Sequence, residues 1–191
     1  MTELRHVTPT LVLLGIVAGS ASAAPAVPGR SHVLTPGHAP TPFTADQIRR
    51  GCADGHRIVF RIEQGSGPAM LQTTDFSAGD AEGVTVSATA RLADGTPMGE
   101  PQESRSAWKA LQGHASFPAE VTRITPTDAL ESGLGVSLPG WIYEVRGEDG
   151  GTMRFSFASD LPGPPVKLEQ RDASGALTMS MVMVESVRVG R

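Results

Sequence analysis

Cysteine is nearly missing from this sequence, since Cys52 is the only one among 191 residues. A single cysteine excludes an internal disulfide framework and a cysteine-rich zinc module. Asparagine is absent altogether, so the chain has no acceptor for N-glycosylation. Lysine occurs only at Lys109 and Lys167, against 14 arginines. These two biases together indicate a GC-rich bacterial genome.

Basic runs and long apolar runs are also missing. The formal net charge of −4 and the scattered arginines argue against a nucleic-acid-binding surface. After residues 1–23, no apolar stretch approaches the length of a membrane span. What the chain has in excess is glycine and proline, with 22 and 15 residues. This share is well above the usual level of about 12% and favours short elements joined by many turns.

Residues 1–23 have the pattern of a secretory signal peptide. Arg5 and His6 precede an apolar run at 11–18, and Ala21-Ser22-Ala23 supplies a small-x-small site, which predicts cleavage after Ala23. The apolar run is too short to span a bilayer comfortably, and an uncleaved membrane anchor is the alternative. We therefore expect a periplasmic or secreted protein without a transmembrane span in the mature chain.

The mature chain divides into two parts. Residues 24–42 contain five prolines and no apolar period, which predicts a flexible, extended leader. Residues 43–191 have the length and composition of one β-rich domain.

A short helix is predicted over 43–51, at the start of this domain. Thr44 and Gln47 have the spacing of a capping box, and Phe43 and Ile48 that of a hydrophobic staple. Gly51 suits a left-handed stop.

Alternation of apolar and polar residues predicts most of the remaining structure as strands. In the first of them, Ile58, Phe60 and Ile62 share one face. Strands are predicted at 57–63, 69–77, 84–92, 96–104, 120–125, 141–146, 152–158, 166–169 and 176–187. Pro97 and Pro101 mark 96–104 as an edge strand. A second short helix is predicted over 106–113.

About nine strands and two short helices give a mainly β fold class. Alternation throughout favours an antiparallel sheet with one face on the core. Because strands twist and long sheets curl, a flat sheet of this width is not expected. The predicted fold is a strongly curved antiparallel sheet or an unclosed β-barrel, with the helices capping or filling its concave face.

The segment 157–168 joins two strands through a proline-rich turn. With the exported leader and a helix before the first strand, it resembles exported bacterial proteins of the lipoprotein-localisation-factor type. That resemblance implies an unclosed β-barrel with helices inside it or across its mouth. It also implies the carriage of acyl chains or an accessory role in the periplasm, and it transfers no binding residue to this chain.

Four aromatic side chains lie on predicted inward faces of two strands. Trp141, Tyr143, Phe155 and Phe157 are therefore candidates for ligand contact on a concave apolar face. The alternative interpretation is that they form the core.

Three methionines recur at a spacing of two on the last strand. Met179, Met181 and Met183 would present three thioethers on one face, and soft thioether ligands suit Cu(I). The alternative is ordinary core packing, since methionine fills gaps in cores. No histidine pair has the spacing of a helical zinc site, and no cofactor is predicted.

Signals for catalysis are weak. The segment 135–140 approaches a nucleophile elbow around Ser137 but has Pro139 in place of its second glycine. Cys52 lies near several arginines and His56, which favours a reactive thiolate, although a buried cysteine or an intermolecular disulfide also fits. A small secreted hydrolase would require a serine or cysteine within hydrogen-bond reach of His56 or His114.

The function that these features favour is binding rather than catalysis. We expect an exported, non-enzymatic binding or structural module whose concave apolar face holds a lipid, an acyl group or a segment of a protein partner. A periplasmic copper-binding protein and a small secreted hydrolase are the alternatives.

Overall fold

The computed structural model describes residues 23–188. These residues contain nine strands: β1 (His56–Gln64), β2 (Met70–Ser77), β3 (Gly83–Leu92), β4 (Gln102–Ala107), β5 (Thr122–Leu130), β6 (Leu138–Arg146), β7 (Thr152–Ala158), β8 (Lys167–Arg171) and β9 (Leu177–Arg188). The α-helices are α1 (Ala45–Gly51) and α2 (Trp108–Gly113). Within the same residues, neither helix is long enough to cross a membrane. The predicted signal peptide, except Ala23, lies outside the described residues.

All nine strands belong to one antiparallel sheet in the order β4-β3-β2-β1-β9-β8-β7-β6-β5. The first strand pairs with the last, so two meanders join in the middle of the sheet. The edges are β4 and β5, which are consecutive in the chain and do not pair within the described residues. The connection between them contains α2. The prediction of an unclosed, mainly β fold with two short helices is confirmed.

The N-terminal end of α1 follows the predicted design. Thr44 caps the helix, its side chain accepts from the Gln47 amide, and the Gln47 side chain accepts from the Thr44 amide at 2.8 Å. Phe43 and Ile48 are both buried on the adjoining turns. The capping box and staple therefore direct the chain into the core at this point.

The C-terminal end of α1 differs from the prediction of a left-handed glycine stop. Gly51 is helical, and the residue that ends the helix is Cys52, with φ of −102°. A Cβ atom at Gly51 would collide with the carbonyl oxygen of Pro162 in the β7–β8 connection. Glycine is needed here for close backbone approach, not for its left-handed conformation.

The concave face of the sheet carries the core. Ile58, Phe60 and Ile62 of β1 are buried while their neighbours on the strand are more exposed, as the alternation predicted. Phe43 packs edge-on against Trp141 and Phe157, with ring centroids 5.8 and 6.3 Å apart. Edge-on aromatic pairs of this kind stabilise the folded state in addition to the contribution of the apolar area that they bury.

A β-bulge interrupts the pairing of β1 with β9. Phe60 pairs with Met183 and Val59 pairs with Glu185, so Val184 is the extra residue. A bulge reverses the alternation of side chains beyond it. It leaves Met183 buried and brings Ser186 to the same side of the sheet, where Ser186 meets His56.

The edge strand β4 starts later than predicted. Its first residue, Gln102, directly follows Pro101, and before it the chain makes only an isolated bridge between Arg91 and Pro97. Proline has no N–H group to donate to a ladder, so strand pairing begins only after the second proline.

The segment predicted as a flexible leader contacts the domain. Thr41 is fully buried, and His38 forms an isolated bridge with Pro118. The carbonyl groups of Ala26 and Pro40 accept hydrogen bonds from the side chains of β6. Residues 23–42 therefore cover the β6 side of the core, while cleavage after Ala23 stays a prediction.

Replacing Gly51 by alanine tests the close approach of α1 to the β7–β8 connection. Alanine is normally favoured over glycine inside a helix by about 1 kcal/mol. We expect the Gly51→Ala variant instead to lose about 1–3 kcal/mol of unfolding free energy, because its Cβ overpacks against backbone. Urea denaturation measures the difference.

Gly113→Ala is the matched control, because Gly113 ends α2 and a Cβ there meets nothing within 4 Å. We expect it to be neutral or stabilising. A Gly51→Ala protein as stable as the parent would contradict the packing described for α1.

Candidate functional site

A cavity of about 380 Å³ lies between the concave face of the sheet and the two helices. Residues of β3 and β7 both line it, although these strands are five positions apart in the sheet. In a flat sheet with strands about 4.8 Å apart, that separation would be about 24 Å. The sheet therefore curves strongly around the cavity, which we call the apolar cavity.

The wall of the apolar cavity is mainly hydrocarbon and aromatic. Its apolar side chains include Phe60, Phe76, Leu111, Phe155, Phe157 and Met181. Among the described residues, Gln72, Thr74 and His114 supply its polar side chains. A mostly apolar space of this size with a few polar groups has the character of a small-molecule site.

The four predicted aromatic residues separate into two pairs. Phe155 and Phe157 line the apolar cavity. Trp141 and Tyr143 are 8% and 0% exposed, belong to the core and do not line the cavity, whereas Phe157, at 3% exposed, belongs to both. Their polar atoms donate to the carbonyl groups of the 23–42 segment, Trp141 Nε1 at 2.9 Å and Tyr143 Oη at 2.8 Å. Burial raises the pKa of Tyr143, so its phenol keeps the proton that it donates.

The three methionines of β9 share one face, but they do not form an exposed strip. Met183 is 2% exposed, and Met179 and Met181 are half-buried against the same core. The copper hypothesis expected all three thioethers near the surface, whereas this arrangement is that of core packing. Within residues 23–188, no three histidine, cysteine or acidic side chains gather around a common point for a metal ion.

Cys52 is enclosed between α1 and the β7–β8 connection. It is 1% exposed, and its thiol donates to the carbonyl oxygen of Pro162 at 3.5 Å. Burial raises the thiol pKa from 9.0 to about 12, and the opposing charge effect of Arg188 is smaller. Only the thiolate form of cysteine is reactive, and a thiol with a raised pKa stays protonated near neutral pH. Of the alternatives for Cys52, a buried structural cysteine therefore fits this environment.

Alkylation with iodoacetamide at pH 8 tests this environment. A pKa of about 12 in place of 9.0 lowers the thiolate fraction on the order of a thousand-fold. We expect Cys52 of the native protein to react at least that much more slowly than in urea-unfolded protein. Similar rates in the two states would contradict the buried assignment, and the single cysteine makes the mass shift unambiguous.

The same pKa shift gives stability a pH dependence. Between pH 9 and pH 12 the folded state keeps a thiol proton that the unfolded state releases. The contribution of Cys52 to stability is therefore complete below about pH 9 and falls as the pH rises through this range.

A second space, of about 360 Å³, opens where β1 begins and β9 ends. The lining residues with charged, titratable or hydroxyl side chains are Arg50, His56, Asp160, Ser186 and Arg188. We call this space the arginine cleft. Pro164 lines both the arginine cleft and the apolar cavity. His56 in the cleft also stacks on Phe76 in the cavity, with ring centroids 5.9 Å apart. The two spaces thus share a wall.

A serine–histidine contact lies in the arginine cleft. His56 Nε2 is 3.0 Å from Ser186 Oγ, within the reach that the hydrolase alternative requires. Burial, with a smaller effect of Arg188, lowers the pKa of His56 and favours the neutral imidazole. In the described residues no carboxylate accepts a hydrogen bond from Nδ1, unlike the third member of a catalytic triad.

The other serine candidates have different surroundings. His38 Nδ1 is 2.9 Å from Ser116 Oγ, at the junction of the 23–42 segment with the α2–β5 connection. Ser137 precedes β6 in a connection between two strands, so it lacks the strand-to-helix context of a nucleophile elbow.

Comparison with known proteins identifies no family. No protein-family model matches the chain, and no curated protein matches its sequence. Solved structures with a related course of the chain include MucB in complex with MucA(peri), at 12% identity and a TM-score of 0.49 over 76% of this chain. The chain spans 56% of that MucB chain.

Two further solved structures are similar to this chain over most of its length. The MucA/MucB complex of Pseudomonas aeruginosa gives 12% identity and a TM-score of 0.49, covering 75% of this chain and 56% of the other. A protein of YmcC-like fold from Bacteroides fragilis gives 8% identity and a TM-score of 0.39, covering 71% and 96%. Likeness at this level assigns neither a family nor a function.

Proposed function

We propose that this chain is an exported, non-enzymatic binding protein that holds a hydrocarbon chain in the apolar cavity. The observation that carries the proposal is the cavity of about 380 Å³, which stays open although α1 and α2 pack against the concave face. A domain that served only as a rigid scaffold would be expected to fill such a space, because protein interiors are close-packed.

The chemistry of the wall favours a hydrocarbon chain over a peptide segment. A buried peptide brings an N–H and a C=O group at nearly every residue, and each costs free energy unless it is hydrogen-bonded. The side chains of Gln72, Thr74 and His114 provide few partners for such groups. A hydrocarbon chain needs none and gains about 0.8 kcal/mol for each CH₂ group buried.

Export is the second part of the proposal. It is supported by the sequence of residues 1–23, with its short apolar run and its small residues before Ala24. A hydrocarbon chain in an aqueous compartment needs an apolar surface to bury it, and the cavity lined by the sheet and the two helices would provide one.

A series of uncharged 1-alkanols tests the cavity without involving any headgroup charge. We expect affinity to rise about four-fold for each added CH₂ group, which corresponds to about 0.8 kcal/mol, until the chain fills the cavity. Isothermal titration calorimetry from hexanol to dodecanol measures this dependence. Affinity that does not change with chain length would contradict the proposal.

The variant Thr74→Phe tests where the alkanol binds. Thr74 lines the apolar cavity, so a phenyl group there removes volume, and we expect decanol affinity to fall at least about tenfold, or 1.4 kcal/mol. Thr73→Phe is the matched control, because neighbouring residues of a strand point to opposite faces. Equal losses in both variants would place the binding outside the cavity.

An esterase is a second candidate, which the 3.0 Å contact of His56 with Ser186 specifically favours. Ser186 Oγ would attack an ester carbonyl while His56 Nε2 takes its proton, and the departing alcohol would take that proton from His56. Water would then hydrolyse the acyl-serine, again with His56 as base, so that an ester and water give an acid and an alcohol.

Hydrolysis of p-nitrophenyl decanoate distinguishes this candidate from the binding protein. Because no carboxylate within residues 23–188 accepts from His56 Nδ1, we expect the parent protein to hydrolyse the ester no faster than Ser186→Ala does. Ser116→Ala is the matched control, since Ser116 makes the same type of contact with His38. Activity lost in Ser186→Ala and kept in Ser116→Ala would establish the esterase instead.

A further inference from the structure

Two arginines, Arg50 and Arg188, line the arginine cleft. Nη2 of Arg188 donates to the backbone carbonyl of Arg50 at 2.8 Å, which links the end of β9 to the end of α1. Within residues 23–188, neither arginine has a carboxylate within ion-pair distance. Nearby arginines differ, since Arg49 pairs with Asp46 at 3.5 Å and Arg57 pairs with Asp75 at 2.7 Å.

The charges facing this pair leave the cleft positive. Asp160 is the carboxylate that lines the cleft in the described part of the chain, and it forms no ion pair with either arginine. Its Oδ1 instead lies 3.3 Å from Ser159 Oγ. Two arginines and one acidic residue line the cleft, a balance that favours an anion, and Ser186 lines it too.

The cleft adjoins the apolar cavity along three elements. On β9, Met181 lines the cavity and Met183, two residues on, lines the cleft. At the end of α1, Gly51 lines the cleft and Cys52 the cavity. Pro164 of the β7–β8 connection lines both spaces. The two spaces are therefore neighbours that single residues separate at these three points, and a ligand that occupies both has to pass this wall.

We infer that the ligand is an amphiphile with an anionic head, a carboxylate or a phosphate, which Arg50 and Arg188 bind in the arginine cleft. This inference rests on the proposed function, because it assigns the chain of the ligand to the apolar cavity. The planar guanidinium fork matches the two oxygens of a carboxylate or phosphate and binds them by charge-assisted hydrogen bonds.

Decanoate and 1-decanol, which differ in the charge of the head, test the inference by calorimetry at low salt. We expect the parent protein to bind decanoate about tenfold more tightly than decanol. This preference should decrease as sodium chloride is added, because salt screens the exposed charges. The comparison uses only the parent protein, so it does not depend on the folding of a variant.

Three single variants locate the effect. We expect Arg188→Gln and Arg50→Gln each to weaken decanoate binding severalfold and to leave decanol binding unchanged. Arg49→Gln is the matched control for net charge, since Arg49 neighbours Arg50 but does not line the cleft. It should change neither affinity by more than about twofold, because an exposed ion pair such as Arg49–Asp46 contributes little.

The outcomes separate this inference from the proposed function. Equal affinity for decanoate and decanol, or an equal effect of all three variants, would overturn the anionic head and leave the cavity proposal intact. Failure of both compounds to bind would overturn the proposed function itself. Inorganic phosphate that binds as tightly as decanoate, with the same dependence on Arg188, would show a free-anion site and overturn the amphiphile.

Discussion

The pairing of β1 with β9 is the interaction on which the rest of this architecture depends. It joins the meander β1–β4 to the meander β5–β9 in one sheet and places both free edges at the ends of the α2 connection. The 14 residues 108–121, which include α2, join these edges. Because strands twist, a sheet of this width curls. The curvature creates the apolar cavity, and the bulge in the same strand pair brings Ser186 to His56.

The contact of α1 with the β7–β8 connection divides the interior into two chemically different spaces. A Cβ atom at Gly163 would approach Cys52 Sγ to 2.8 Å, and one at Gly51 would meet backbone, so the two elements touch without room for a side chain. On one side of this contact lies the apolar cavity and on the other the arginine cleft. An apolar space and a positive space thus adjoin within one small domain.

The sequence predicted the fold better than it predicted the site. Period-two alternation identified the strands because each has one face on the core, and the capping box at Thr44 located α1. The start of β4 was predicted too early because alternation was followed through Pro97 and Pro101, whereas proline has no N–H group for the strand ladder and pairing begins at Gln102. Gly51 was misinterpreted because close backbone approach leaves no local signature.

The site residues show why alternation alone is insufficient. Trp141 and Phe155 both point inward, but Phe43 and the 23–42 segment contact Trp141, whereas Phe155 lines the cavity. Ser186 and Arg188 were overlooked because the bulge at Val184 reverses the inward–outward alternation of side chains along β9. The sequence of this strand contains no residue that predicts the bulge. The packing of residues 23–42 depends on side chains of β6, more than 100 residues away in the chain.

The most direct test of the account is a crystal structure of the protein with decanol brominated at its terminal carbon. Anomalous scattering locates the bromine independently of any refined model. The account predicts a bromine peak in the apolar cavity, in contact with Phe155, Phe157 or Met181. A cavity filled by ordered water, with bromine bound only on the outer face of the sheet, would contradict it.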